Sequence, residues 1–204
     1  SAAEKKHPTS YGACLCKAFR EELTAKQLSV DVEEVVLPDA PFLVRCTWKN
    51  LTQVWFRFFR IPEDEYRNLR EKYGYFDQEK FIAHLRERSP AAEWTSPIPD
   101  NGDFQAHAAE VKAPALGYGF YVLVSSANAD FTYPNNGIAI ATFWVSRIAY
   151  FGRNAGNEYE VYVRDRETGA AMDKATVKKI ERIYNDTKRV YTMVDKESRT
   201  TDAQ

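Results

Sequence analysis

Between residues 29 and 194 the chain is repeatedly cut into short strand-like runs in which apolar and polar side chains tend to alternate, most of them closing near a Pro, Gly, Asn or Asp. The runs are SVDVEEVV (29–36), PFLVRCTW (41–48), QVWFRFFRI (53–61), FQAHAAEV (104–111), YGFYVLVSSA (118–127) and IAIATFWV (138–145). RIAYFGR (147–153), EYEVYVRD (158–165), ATVKKIERI (175–183) and KRVYTMV (188–194) follow. A period of two puts alternate side chains on opposite faces of a strand. Turn signals at a spacing of roughly 8 to 12 residues favour a β-sandwich. The run 53–61 is the most restrictive, because Val54, Phe56 and Phe58 on one face are matched by Trp55 and Phe59 on the other. Such a strand must be covered on both sides.

Helical patterns interrupt the strands in two places. From Tyr11 to Leu28 the residues Cys14, Leu15, Ala18, Phe19 and Leu23 recur near helical spacing, with Ser10 as N-cap. PEDEYRNLREKYG places Pro62 at the first helical position and acids in the first turn. Tyr66, Leu69 and Tyr73 form its stripe, and Gly74 marks its stop. DQEKFIAHLRERS starts from Asp77 as cap and buries Phe81, Ile82 and Leu85. Both lie inside a β-domain as an insertion. SPIPDNGD (96–103) reads as a loop, Pro114 and Gly117 as the joint between two strands, and Asn136-Gly137 as a tight turn.

The length of 204 residues admits one large domain or two small ones. A boundary near Ser146 separates about six strands with the helical insertion, roughly 115 residues, from about four strands that leave an unfinished sheet. In that second set VYVRDRETGAAMDKATVKKI reads as an opening hairpin. Val161 and Val163 face the core, Arg164 and Arg166 face solvent, Thr168-Gly169 turn the chain, and Ala175 and Val177 begin the return.

Charge narrows the function. The 28 basic and 29 acidic residues leave a net charge of −1 and are interspersed, so nothing attracts nucleic acid or an anionic membrane. No apolar run reaches the roughly 18 residues of a membrane span. Cys14, Cys16 and Cys46 lack CxxC spacing and read as free or buried thiols, with one disulfide through Cys46 as the alternative.

The chemistry-bearing residues do not assemble into a motif. His7, His84 and His107 share no metal-ligand spacing. Ser125-Ser126 lacks the glycines of a nucleophile elbow. Glu33-Glu34, Asp64-Glu65 and Glu167 are the carboxylates to inspect for a glycosidase-like pair, although solvated charge is the commoner role. GYG (117–119) is not a phosphate loop. Trp48, Trp55, Phe56, Phe58, Phe59, Tyr118, Phe120, Tyr121, Phe143 and Trp144 offer either a packed core or a sugar-stacking platform, with the core favoured by their place in strands. No catalytic, cofactor-binding or metal-binding residue is expected.

Four phrases occur in a telling order. WKNLTQVWFRFFRIPEDEY carries Asn50, Val54, Arg57, Arg60 and Ile61, and GYGFYVLVSSANADF carries Gly119, Tyr121, Leu123 and Ser126. IAIATFWVSRIAYFGR carries Phe143, Val145 and Ser146, and EYEVYVRDRETGAAMDKATV carries Val163, Arg166, Thr168, Gly169, Ala175 and Val177. Together, over residues 28–204, they resemble successive pieces of the macroglobulin domains of bacterial α2-macroglobulin-like proteins, particularly the large Bacteroidetes-type ones. Two positions depart from the pattern: Ala171-Met172 stand for the usual Pro-Leu, and Lys174 for a Gly. The reactive Cys-x-Glu-Gln motif of that family does not occur in this sequence.

The resemblance implies a mainly β fold: tandem immunoglobulin/fibronectin-III-like (macroglobulin) β-sandwich domains, with a helical insertion and a short N-terminal helix. The expected division is an N-terminal helical segment 1–27, a sandwich 28–146 with an insertion at 62–89, and an incomplete second sandwich 147–204. It further implies non-catalytic scaffold and interaction modules of a large envelope or secreted protein that traps proteases, with proteases and neighbouring domains as partners. The alternative is a carbohydrate-binding or adhesion module of a bacterial surface protein. A hydrolase is the third class, and it requires converging carboxylates or a His–carboxylate dyad in a cleft.

Overall fold

In the computed structural model the doubly aromatic run becomes the strand on which the first half of the molecule is built. The structure describes residues 5–73, 77–99, 101–133, 135–156, 158–186 and 190–202. They fall into two compact units, Ser1–Ser146 and Arg147–Gln204.

The first unit holds α1 (Tyr11–Thr24), β1 (Gln27–Asp31), β2 (Val35–Val36), β3 (Phe42–Lys49) and β4 (Gln53–Arg60). These are followed by α2 (Glu63–Tyr73), α3 (Gln78–Arg86), β5 (Ala92–Pro97), β6 (His107–Ala113), β7 (Gly119–Ser126) and β8 (Ile138–Val145). One sheet has the order β1-β3-β6 and the other β2-β8-β7-β4-β5. All pairs are antiparallel except β2 with β8. The pleat of the larger sheet then sorts the side chains. Val54, Phe56 and Phe58 of β4, with Tyr121, Leu123, Phe143 and Val145 of its neighbours, meet Val44, Cys46 and Trp48 of the smaller sheet in one core. Phe59 and Ile61, with Phe120, Val122 and Val124 of β7, meet Leu69, Phe81, Ile82 and Leu85 of α2 and α3 in a second core. The central sheet is therefore sandwiched between a sheet and a helical layer. A fully buried side chain of this size contributes on the order of 1.5–3 kcal/mol, so apolar residues on both faces of β4 and β7 fix the register of the whole unit.

Several boundaries differ from the sequence reading. Residues 25–28 leave the predicted first helix, because Leu28 pairs with Trp48 at the edge of the smaller sheet. Cys14, Leu15 and Phe19 are exposed on α1, so its apolar stripe does not face the core. The run 29–36 divides into β1 and β2, in different sheets. The predicted loop from residue 96 begins within β5, a strand that period-two patterning missed. Its Trp94 stacks on Phe56 of β4, with centroids 4.6 Å apart. Positive φ falls on Asn135 rather than on Asn136-Gly137, and β7 and β8 are joined by a long loop instead of a tight turn. Ser10 and Asp77 do cap α1 and α3, accepting the amides of Ala13 and Lys80 at 3.2 Å. The predicted stop at Gly74 lies outside the described residues.

The second unit holds β9 (Ile148–Ala155), β10 (Glu158–Asp165), β11 (Thr176–Asn185) and β12 (Val190–Thr200). They form two separate antiparallel pairs, β9 with β10 and β11 with β12. The expected hairpin between residues 161–165 and 175–180 is therefore not formed. Each of these strands instead takes the neighbour reached through the shorter connection, and only a bridge from Arg164 to Ala171 starts the predicted return. β12 also runs through Glu197–Thr200, where the sequence suggested a stop.

Candidate functional site

The acidic corner RDRETG is built as a turn. Asp165 accepts the amides of Glu167 (3.1 Å) and Thr168 (2.8 Å), the Thr168 hydroxyl (2.9 Å) and Arg147 Nε (2.9 Å). The Arg147 guanidinium, followed by the Thr168 donors, holds the Asp165 carboxyl well below the usual carboxylate range. Gly169 supplies φ 72° where the chain reverses. A carboxylate engaged by four donors is committed to the turn and is not a free acid or base.

Several of the other candidate groups have partners of their own. His84 lies 3.2 Å from Arg88 Nη2, and Arg88 also pairs with Glu65. His107 Nε2, at the start of β6, lies 3.0 Å from Oδ1 of Asp103 in the loop that precedes it. Asp103 is held below its ordinary pKa by the Gln105 amide first and by His107 second. Ser10 donates to the His7 carbonyl at 2.8 Å. Ser125 is buried and donates to Ala139 O at 3.3 Å, while Ser126 is tied to Asn128 and Asn136 at 3.2 and 2.8 Å. Glu33 and Glu34 precede β2, Asp64 and Glu65 open α2, and Glu167 belongs to the second unit. These carboxylates sit on separate elements. Among the described residues no group of three or more His, Cys, Asp or Glu is placed to hold a metal ion. Cys46 is buried, which pushes its thiol pKa up to about 11, whereas Cys14 and Cys16 are exposed and all three are free.

Of the aromatics weighed as a stacking platform, Trp48, Phe56, Phe58, Phe59, Phe120, Tyr121 and Phe143 are buried; Tyr118 and Trp144 are exposed. Burial places most of this set in the cores. A shallow cleft of about 380 Å³ is lined by Lys26, Asn50, Leu51, Thr52, Gln53, Trp55 and Ala127.

The phrase residues hold the fold together. Asn50 (φ 56°) donates through Nδ2 to Leu23 O (2.7 Å) and Ala25 O (2.9 Å), tying the end of α1 to the β3–β4 turn. Arg57 pairs with Glu93 at 3.1 Å and lies 4.3 Å over the Phe131 ring. Arg60 lies across Gly119, where a Cβ would meet its Nε at 2.7 Å, so the first phrase locks onto the second. Asn136 fastens the β7–β8 loop through Ser126, Asn128 and Thr132 O. The sequence singled out Asn50 in the first phrase and Asn136 as a turn residue, but not the bonds they make, whose partners are backbone carbonyls or side chains several residues away.

The large apolar residues left in solvent are the feature that remains. They include Tyr150, Phe151 and Tyr159 on the β9–β10 pair and Ile180, Tyr191 and Met193 on β11–β12.

The first unit is thus a two-sheet β-sandwich with a helical layer, and the second holds two β-hairpins. No family model matches the chain, and no curated protein matches it. Among solved structures, it has the fold of native α2-macroglobulin from Escherichia coli spanning domains NIE-MG1, with a TM-score of 0.51 at 15% identity over 89% of this chain and 85% of that one. The same protein spanning MG0-NIE-MG1 matches with a TM-score of 0.54 at 15% identity, over 88% of this chain. The chain spans 55% of the length of that longer structure.

Proposed function

We propose that the chain is a non-catalytic scaffold and interaction module of a larger α2-macroglobulin-like protein that traps proteases in the cell envelope or outside the cell. The observation that carries this reading is the shared fold over most of the chain, with both units included in the match. The committed state of the polar clusters agrees with a structural role. The exposed apolar faces of the second unit suit contact with neighbouring domains. No helix of the described residues is long and apolar enough to cross a membrane.

The test uses the complete protein encoded around this chain. After exposure to an endopeptidase, residual activity is measured on a large protein substrate and on a small chromogenic peptide. Trapping blocks the first and spares the second, and removal of residues 1–204 abolishes that difference. Equal cleavage of both substrates in the presence of the intact protein sinks the proposal. Turnover of a peptide, ester or glycoside by the chain alone, abolished by one side-chain substitution, sinks its non-catalytic part.

A further inference from the structure

Trp55 is half-buried at the edge of the second core, and its ring is unlike the other three indoles. Trp48 donates to Pro99 O at 3.2 Å, Trp94 stacks on Phe56, and Trp144 meets Phe120 edge to face. Among the described residues, Trp55 alone of the four has neither a ring partner nor a bonded indole N–H.

The reach of the helical layer explains this. Gln53, Trp55, Arg57 and Phe59 point to one face of β4. Helices α2 and α3 close that face around Phe59 and Ile61, and Glu93 and Phe131 take up Arg57. Beyond Arg57 the face is left open as the cleft of about 380 Å³, near the lower end of the ~300–1,000 Å³ of small-molecule sites. Three more polar side chains line it: Lys26 at the α1–β1 joint, Thr52 in the β3–β4 turn, and Gln53. None of the three has a side-chain partner among the described residues. Asn50, in the same wall, is spent on Leu23 O and Ala25 O and fixes the turn against the end of α1. The walls are therefore set before a ligand arrives, which lowers the cost of binding.

The lining also selects the ligand. Its polar side chains are an ammonium, a hydroxyl, carboxamides and an indole, and it contains no carboxylate. One ammonium balances one carboxylate, whereas a phosphate monoester carries close to two charges. A purely apolar ligand would leave these polar groups without partners. A sugar acid has the matching parts: a C–H face for the indole, hydroxyls for Thr52 and Gln53, and a carboxylate for Lys26. We propose that the cleft binds a hexuronic acid unit of an acidic saccharide, stacked against Trp55 with its carboxylate on Lys26. The contact is small and open to solvent, so a disaccharide is held with a dissociation constant of about 1–10 mM.

The test is a titration of the intact chain, labelled with nitrogen-15, with digalacturonic acid. The readout is the set of indole N–H signals, with Trp55→Phe identifying the Trp55 signal by its loss. The Trp55 signal is expected to move and saturate while the other indoles stay in place. Cellobiose, a neutral disaccharide, should bind several-fold more weakly, and Lys26→Gln should bring the two sugars level. Lys26 is exposed and its side chain holds nothing in the fold, so unchanged signals from Trp48, Trp94 and Trp144 certify that variant. Gln53→Ala should weaken both sugars alike. A Trp55 signal that stays still up to about 50 mM disaccharide, well above the expected constant, overturns the proposal. So does a preference for the acid that survives Lys26→Gln. Equal binding of acetate would reduce the cleft to an anion site, and equal binding of an acetylated Glu-Ala dipeptide would make it a peptide site; either result overturns the saccharide assignment. None of these outcomes bears on protease trapping, which is read in a different assay.

Discussion

The two units are made of the same kind of strand, yet they treat their apolar residues in opposite ways. In the first, β4 and β7 bury both faces, and Phe58, Val122 and Leu123 have no exposed surface. In the second, Val163, at 8% exposure, is the one large apolar residue among those described that is buried, and rings such as Tyr150 and Tyr159 stand in water at 75% and 64% exposure. The difference lies in the number of layers. The first unit stacks two sheets and a helical layer, so each face of the central sheet finds a partner. The second has two hairpins, and a two-stranded hairpin is marginal by itself. Similar local sequence patterns therefore give a buried core in one place and exposed apolar side chains in the other.

The largest expected effect breaks the first side of this comparison. Phe58 packs against Phe42, Trp94, Tyr121 and Phe143, with centroids 4.9 to 6.4 Å away. Phe58→Ala is expected to cost about 3–5 kcal/mol, because neighbouring strands cannot close over the lost ring. Trp48, Trp55, Trp94 and Trp144 all belong to the first unit. Tryptophan fluorescence during urea denaturation therefore follows that unit alone. A loss below about 1 kcal/mol would mean that the core is far looser than its burial implies.

A thiol count sharpens the contrast further. Cys14 and Cys16 are exposed, whereas Cys46 is enclosed in the core with its pKa raised to about 11 by desolvation. At pH 8 two thiols should react promptly with a maleimide, and the third only as the first unit opens. Rapid labelling of all three in native buffer contradicts the sealed core.

How much of this was legible follows the same division. The two faces of β4 were readable because aromatics at both parities of a period-two run leave a strand only one situation, burial on both sides. Phe81, Ile82 and Leu85 were readable for the corresponding helical reason. Strand pairing was not. VYVRD and ATVKK look like partners because a turn lies between them, but alternation records which face a residue takes and says nothing about its neighbour. β5 escaped because Ala92–Pro97 contains two small polar residues and a proline. Its place comes from Trp94 finding Phe56, a tertiary contact. For the candidate site, the sequence offered no catalytic motif to follow. It read α1 as a helix with an apolar stripe, and periodicity marks such a face without telling what covers it.

A smaller effect is expected in the second unit. Val163→Ala removes part of its one well-buried large apolar side chain and should cost about 1–2 kcal/mol. Hydrogen exchange of the β9–β10 amides is the measurement, with the first unit's fluorescence transition unmoved. If Phe151→Ala, at a ring 53% exposed, destabilised β9–β10 as much as Val163→Ala, then burial would not rank these residues and the contrast between the units would fail.

The smallest effect separates turn chemistry from core packing. Asp165 is an acid whose folded pKa lies below its unfolded value, with Arg147 as the first cause and the Thr168 donors next. Its contribution is therefore complete above the unfolded carboxylate pKa, near 4, and is lost as pH falls through the lower folded value. Asp165→Asn removes the charge while keeping an acceptor near the Thr168 amide, so the variant should lack that part of the pH dependence. Glu160, held low by Arg153, titrates in both proteins and cancels in the difference. Protection of the amides around the 165–170 turn, compared between wild type and variant from pH 7 to pH 2, should show a gap that is constant at neutral pH and closes below about pH 4. Parallel profiles would mean that the turn is held by Gly169 and the backbone bonds from Ala170 and Met172 alone, with the acidic corner as mere decoration. A closing gap assigns Asp165 the part that a hydrophobic core plays elsewhere in the molecule: it fixes the corner at which β10 ends, in a unit with too little buried surface to fix that corner by packing.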